Sequence, residues 1–271
     1  MLLAIDCGNT RSKWAIFNAA GDICHQGICL NKELTSIDFH PTTLRYERVA
    51  ISNVASKEVE ALLIKKLSPY KLPIFWLKST LQICGVFNRY SKPETLGVDR
   101  WAALIAAWQL KHTPCVVVNA GTAITIDALT VQPNSSEQAE FIGGYILPGL
   151  NLIQQSLGSA TAQLPVPTSL QLESVAEQRI NDIFPKNTAD AIFTGAVQAA
   201  CGAITLMAKQ LYLECKQTPH IIISGGNAHA IKNSLSSDVT NQALIVDNLV
   251  LQGLYLLENA ISKEMMQGDA Q

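Results

Sequence analysis

The sequence predicts an α/β protein built from two similar lobes, and three observations carry that prediction. Apolar runs rich in β-branched residues alternate with runs of helical spacing along the chain. A strand–turn–strand unit occurs twice: superposing residues 5–16 on 118–129, an offset of 113, pairs Asp6 with Asn119, Gly8 with Gly121 and Asn9 with Thr122. A third apolar run, Ile221 to Ser224, ends in a further glycine turn, Gly225-Gly226-Asn227, and leads into a helix from Ala228.

The elements follow in chain order. Residues 1–5 are apolar, Asp6-Cys7-Gly8-Asn9-Thr10 breaks the run, and Ser12 to Asn18 resumes it, which reads as strand, tight polar turn, strand. Ala20-Gly21-Asp22 turns the chain into Ile23 to Leu30, completing an antiparallel meander. Val49 to Val54 and Ile74 to Lys78 read as strands around a helix from Ser56 to Leu67 with Ser56 as its cap. From Gly97, the residues Trp101, Leu104, Ile105, Trp108 and Leu110 recur at helical spacing until His112-Thr113-Pro114 ends the helix and the first lobe. This gives domains of 1–113 and 114–271. Cys115 to Val118 and Ile124 to Leu129 are the strands of the repeat, residues 133–138 and 165–169 read as loops, and the tail beyond Ser262 as frayed.

Composition narrows the function. The 271 residues are 48% hydrophobic and 15% charged, ordinary for a globular chain, and a net charge of -2 with scattered lysines and arginines supplies no field for nucleic acid or anionic lipid. Small-molecule chemistry is the expectation. Seven cysteines without a C-x-x-C pair read as reduced thiols, and Asp6 inside the first apolar run argues against an export signal, so a cytoplasmic protein is expected. The apolar stretches Trp101–Leu110 and Ala243–Ile261 are too short or too interrupted to span a bilayer. The five histidines share no metal-ligand spacing and receive no role.

The turns can bind phosphate. An anion needs several backbone N–H groups at close range, and glycine permits both the tight turn and the approach. Thr10 and Thr122 add hydroxyl donors. Asp6 at the mouth of the first turn suits an anion only with Mg²⁺ between them. A hairpin turn uses Asp, Gly and Asn for backbone reasons alone, and that reading stands beside the functional one for any single turn. The other nucleotide signatures, G-x-x-x-x-G-K-[ST] and G-x-G-x-x-G, are missing, as are H-E-x-x-H and G-x-S-x-G. A second informative segment runs from Asn88-Arg89-Tyr90 to Gly97-Val98-Asp99-Arg100-Trp101. Asp99 either caps the helix that starts there or takes the proton from an attacking hydroxyl, with Arg100 binding an anionic substrate group through its planar fork.

The segments DCGNT at 6–10, NRY at 88–90, GVDRW at 97–101, GTAIT at 121–125, GGYILPG at 143–149, NTADAI at 187–192 and SGGNA at 224–228 occur in this order. Together they make the chain resemble the type III pantothenate kinases of the acetate and sugar kinase/Hsc70/actin superfamily. The resemblance implies two ribonuclease-H-like (actin-like ATPase) domains with a cleft between them, a homodimer, and transfer of the ATP γ-phosphoryl to pantothenate, the first step of coenzyme A synthesis. It implies Asp99 as general base, and ATP or phosphate contacts from Asp6, Cys7, Gly8, Asn9, Thr10, Arg11, Ser12, Lys13, Gly121, Thr122, Gly225 and Gly226. Asp6 would organise Mg²⁺. Tyr90, Gly97, Val98, Asp99 and Arg100 resemble the pantothenate-binding residues, and Thr188 a threonine given to the site by the partner subunit. Where the family reads D-x-G-T-A this chain has Asn119-Ala120-Gly121-Thr122-Ala123, so an amide stands where the family's ligand for a monovalent cation, K⁺ or NH₄⁺, is an aspartate. A non-catalytic nucleotide-binding accessory or regulatory protein of the same fold is the alternative, and a sugar kinase or acidic phosphatase of the superfamily a third reading. Neither binding nor regulation alone requires Asp99.

Overall fold

The computed structural model describes residues 1–39, 44–132, 135–160 and 183–268, which form two compact units, Met1–Leu110 with Asn248–Gln271, and Lys111–Asp247. The expected loop at 165–169 lies outside the described residues.

In the first unit, β1 (Leu2–Cys7), β2 (Arg11–Phe17) and β3 (Ile23–Leu30) form the antiparallel meander that the turn residues dictate. β4 (Arg48–Asn53) then lies parallel to β1 on its other side, and β5 (Ile74–Trp76) parallel to β4, so the sheet runs β3-β2-β1-β4-β5. Helix α1 (Lys57–Leu67) connects β4 to β5. Ser56 holds its N-cap position in extended conformation, but its hydroxyl makes no capping bond. Leu3, Ile5 and Cys7 alternate onto one face of β1, where they pack with Trp14, Ile51 and Leu63. A small hairpin, β6 (Gln82–Ile83) and β7 (Val86–Asn88), precedes α2 (Val98–Lys111), which is buried on every side from Arg100 to Trp108.

In the second unit the same order returns. β8 (Cys115–Ala120), β9 (Ala123–Gln132) and β10 (Ser135–Pro148) are antiparallel, β11 (His220–Ser224) lies parallel to β8 and β12 (Ala243–Ile245) parallel to β11, giving β10-β9-β8-β11-β12. Each unit therefore has the ribonuclease-H-like order, with its second strand reversed against the rest. Helices α3 (Leu150–Ala160) and α4 (Thr188–Cys215) lie between β10 and β11, and α5 (Ala228–Ser234) follows β11. β10 begins at Ser135, so residues 135–138 of the expected loop are strand, paired with β9 through an irregular register.

One further expectation is corrected. Helix α6 (Leu249–Gly268) extends well beyond Ser262 and belongs with the first unit, not with a 114–271 domain. The reason is packing: α6 lies on β1, β2 and β4, Arg48 pairs with Glu258 at 2.7 Å, and Tyr255 stacks on Phe17 with ring centroids 5.1 Å apart. Gly253 lies so close to α2 that a Cβ would stand 2.0 Å from the carbonyl oxygen of Ala102. Helix α4, 28 residues long, lies outside the apolar stretches named from the sequence and is by length and composition apolar enough to cross a membrane. One face of it, from Phe193 through Ala200 and Ile204 to Leu211, packs into the second unit's core with Val116, Val118 and Ile126. A core helix passes that test for the same reason a membrane helix does.

Candidate active site

The first glycine turn joins β1 to β2. The paired residues Cys7 and Ser12 close it, and the Gly8 N–H donates to the carbonyl of Arg11 at 3.1 Å. Asp6, one residue before the end of β1, lies between Lys13 of β2 and Ser52 of β4. Its Oδ1 is buried without a hydrogen-bond partner, as is the hydroxyl of the buried Ser52. Burial first, and then the Asp99 carboxylate, push the Asp6 pKa up to about 7, against opposing effects of Ser52 and Lys13. Two carboxylates that disfavour each other's charge, one with an orphaned oxygen, are a donor set suited to a hard divalent cation. Cys7 contributes no nucleophile, since burial raises its thiol to about 12.

Asp99 reaches this place from the start of α2. The first helical bond is from Trp101 N–H to the Gly97 carbonyl, so Gly97 holds the capping position and Asp99 the second residue of the helix proper. The Asp99 carboxylate folds back to accept the Arg100 N–H at 2.8 Å, and a Cβ on Gly97 would stand 2.7 Å from its Oδ1. Glycine at 97 therefore makes the room this carboxylate occupies. Burial raises the Asp99 pKa, more than Arg100 and the local N–H groups lower it. Arg100 is 5% exposed, and its guanidinium donates to the Tyr90 hydroxyl at 2.9 Å while lying 5.6 Å from the Tyr90 ring centre. Tyr90 is itself fixed through its N–H, which donates to the side chain of the buried Asn88. Asp6, Tyr90, Gly97, Val98, Asp99 and Arg100 thus belong to one unit, where the Asp99 charge acts on Asp6.

The second unit gathers Asn119, Gly121, Thr122, Gly225 and Gly226. The Gly121 N–H donates to the Ala123 carbonyl at 3.0 Å, and the Gly149 N–H to the Thr122 carbonyl at 2.9 Å. Gly225 has φ +101, and a Cβ there would meet Ala120 backbone atoms at 2.6 to 2.9 Å. Only glycine fits where the β11 turn presses on the end of β8. Thr188 is exposed on the first turn of α4, behind the N-cap Asn187, whose side chain accepts the Asp190 N–H at 2.9 Å.

Sequence reasoning missed the residues that brace these turns. Gly149 has no signal of its own within the segment GGYILPG, although a Cβ there would stand 2.4 Å from the carbonyl oxygens of both Gly121 and Thr122. Asn31 lies outside every motif of the sequence. Its side chain binds Gly8, Asn9 and Ser12, and an asparagine directly after a strand of the meander was its one visible signal.

A sequence profile of the type III pantothenate kinases matches residues 2–210. The type III pantothenate kinase of Methylobacillus flagellatus is 40% identical over 262 residues, covering 96% of this chain and 98% of that protein. That of Nitrosospira multiformis is 39% identical over 269 residues, covering 99% and 95%. Among solved structures, a Baf-family protein from Campylobacter jejuni superposes with a TM-score of 0.56 at 19% identity, covering 96% of this chain and 99% of that one, a likeness of fold alone. With its two ribonuclease-H-like units, its Asp6–Asp99 pair and relatives of this identity over nearly its full length, the chain belongs to the type III pantothenate kinase family.

Proposed function

We propose that this chain transfers the γ-phosphoryl group of ATP to the primary hydroxyl of pantothenate, giving 4'-phosphopantothenate and ADP, the first step of coenzyme A synthesis. The observation that carries the reading is the half-buried pair Asp6 and Asp99, with the buried Arg100 fixed beside Asp99. In the step, the pantothenate hydroxyl oxygen bonds to the γ-phosphorus, the bond to the β,γ-bridging oxygen breaks, and the hydroxyl proton passes to the Asp99 carboxylate. A raised pKa makes Asp99 a better proton acceptor than an ordinary carboxylate. Arg100, oriented by Tyr90, binds the pantothenate carboxylate, and Gly97 and Val98 line that site with backbone.

Asp6 to Lys13 form the phosphate-binding segment of the first unit, and Gly121, Thr122, Gly225 and Gly226 are the residues of the second unit assigned to ATP. Asp6 fits a Mg²⁺ ligand because its buried Oδ1 lacks any other partner, and Mg²⁺ supplies charge neutralisation for the transferred phosphoryl. The residues at Asn119 do not fit a monovalent cation in the same way. In register it lies between Thr125 and Ser224, so the side chains there are neutral, and no step is routed through such an ion.

A homodimer completes the reading, with Thr188 of one chain serving the other's site. Leu206, Tyr212 and Leu213 of α4 are each nearly half exposed, a face that a second copy would cover, and Thr188 starts the same helix. Seven free cysteines suit a cytoplasmic location. The test is ADP release with ATP and pantothenate. The unmodified protein should turn over, and Asp99→Asn should remain folded and bind ATP while kcat falls roughly 10²–10⁴-fold. Full activity of Asp99→Asn at neutral pH would overturn the assignment of the base.

A further inference from the structure

Asn31 follows β3 and opens the short 3₁₀ helix Asn31–Ser36, whose start is tied down by the Leu30 N–H donating to Glu33 Oε2 at 3.1 Å. From there it reaches across to the first glycine turn. Its side-chain nitrogen donates to the carbonyl of Gly8 at 2.8 Å and of Asn9 at 3.2 Å, and its backbone N–H donates to the carbonyl of Thr10 at 3.1 Å. Its side-chain oxygen accepts from the Ser12 hydroxyl at 2.8 Å. The carbonyls of Gly8 and Asn9 can only accept, so they fix which way the Asn31 amide faces: nitrogen toward the turn, oxygen toward the fully buried Ser12 hydroxyl.

One residue therefore binds three successive carbonyls. In a trans peptide the C=O and N–H point in opposite directions, and every described peptide here is trans. Drawing the carbonyls of Gly8, Asn9 and Thr10 toward Asn31 turns the N–H groups of Asn9, Thr10 and Arg11 to the opposite side. Successive N–H groups presented to one side make an anion-binding concavity. Without such a brace, a turn containing Gly8 has many other conformations of similar energy.

We propose that Asn31 is a positioning residue for ATP: by holding the three carbonyls back, it aims the backbone N–H groups of the first turn at the nucleotide phosphates. This rests on the reading of residues 6–13 as a phosphate-binding segment. Asn31 touches neither substrate and takes no part in proton transfer, so its effect falls on nucleotide binding, not on pantothenate.

Asn31→Asp is the sharpest test, because it keeps the size and the acceptor for Ser12 but puts a carboxylate oxygen against the carbonyls of Gly8 and Asn9. The expected result is a KM for ATP raised about tenfold or more, the range expected when hydrogen bonds to a turn become repulsions, with the KM for pantothenate within about twofold of its original value. Asn31→Ala carries the same expectation should the charged variant fail to fold. A merely structural role would instead lower the thermal midpoint and the active fraction, leaving the KM for ATP unchanged, and that result would overturn the proposal. Hydrogen exchange of the segment covering residues 8–13 in the unmodified protein separates the two layers of the argument. If ATP slows exchange there and the KM for ATP is still insensitive to Asn31, the brace is wrong. If ATP leaves that exchange unchanged, the phosphate reading of the turn is wrong, and the brace falls with it.

Discussion

The two glycine turns occupy equivalent places in two sheets of the same strand order, yet they are held by different means. In the first sheet four residues, Gly8 to Arg11, lie between the paired Cys7 and Ser12. In the second, three residues, Gly121 to Ala123, lie between Ala120 and Ile124. The longer turn is braced by a side chain, Asn31. The shorter is braced by backbone, through the Gly149 N–H on Thr122 and the Asn227 N–H on Ala120 at 3.2 Å. The residues preceding the turns differ in charge. Asp6 lies between Lys13 and Ser52, and Asn119 at the matching position between Thr125 and Ser224. Two sheets of one strand order thus carry different side chains at their turns: the first unit holds the ionisable pair Asp6 and Asp99, while the second offers close backbone approach and neutral donors.

Asp6→Asn breaks the comparison most severely, since it gives the first turn the side chain of the second. Activity should fall about 10²–10⁴-fold, because several kcal/mol of charge stabilisation around the transferred phosphoryl depend on this carboxylate. Stability should move the other way. The Asp6 pKa is raised in the folded state from 3.8 to about 7, so the folded protein binds the proton more tightly than the unfolded chain does. That contribution is complete below about pH 4 and is lost as pH rises through about 7. Without Mg²⁺, the Asn variant should therefore melt above the unmodified protein at pH 7–8, with the gap closing toward pH 4. Added Mg²⁺ should raise the midpoint of the unmodified protein alone. Thermal midpoints across pH, with and without Mg²⁺, check both signs. A variant less stable at pH 8 without metal would show that Asp6 is not held at the cost of burying its charge.

Gly225→Ala probes the backbone-braced turn. A methyl there meets Ala120 backbone atoms that cannot rotate away, at a φ that side chains rarely adopt, and the expected loss is about 1–3 kcal/mol. Gly226, where a Cβ would meet nothing within 4 Å, gives the control: Gly226→Ala should shift the midpoint much less. Equal losses at the two positions would mean that the approach of β11 to Ala120 is not what glycine serves.

The strands, both turns and the start of α2 were legible because each announces itself locally: apolar alternation, a glycine break, and helical spacing after Gly97. The pairing of residues at an offset of 113 holds along β1 and β8, then slips at the turns, where the second is one residue shorter. A pattern match without register cannot see that. Ownership of α6 was not legible for a different reason. Its apolar face, the Arg48–Glu258 pair and the close approach at Gly253 are all contacts between distant parts of the chain, and no local signal states which sheet an amphipathic helix covers. Asn31 escaped for the same reason, because its meaning lies in carbonyls contributed by another strand's turn.

The smallest expected effect is also the one that sharpens the comparison most, because Asn119→Asp gives the second turn the carboxylate of the first. A carboxylate brings a full negative charge to a monovalent ion otherwise held by neutral oxygens, and in a partly buried place that charge supplies much of the attraction. Asn119 offers a neutral carbonyl instead, and its in-register neighbours Thr125 and Ser224 add none. Its amide nitrogen is in addition a donor, able to hydrogen-bond a phosphate oxygen that an ion would otherwise engage. Turnover of the unmodified protein should then change less than about twofold when potassium is exchanged for a large organic cation at fixed ionic strength, a control needed because salt alone screens ATP binding. Asn119→Asp should become visibly responsive to potassium or ammonium, by roughly the few-fold change that one added charge near a solvated ion supports. If the unmodified protein lost most of its activity on that exchange, the ion would be held by backbone carbonyls alone, and the charge difference between the two turns would not govern which of them needs a cation.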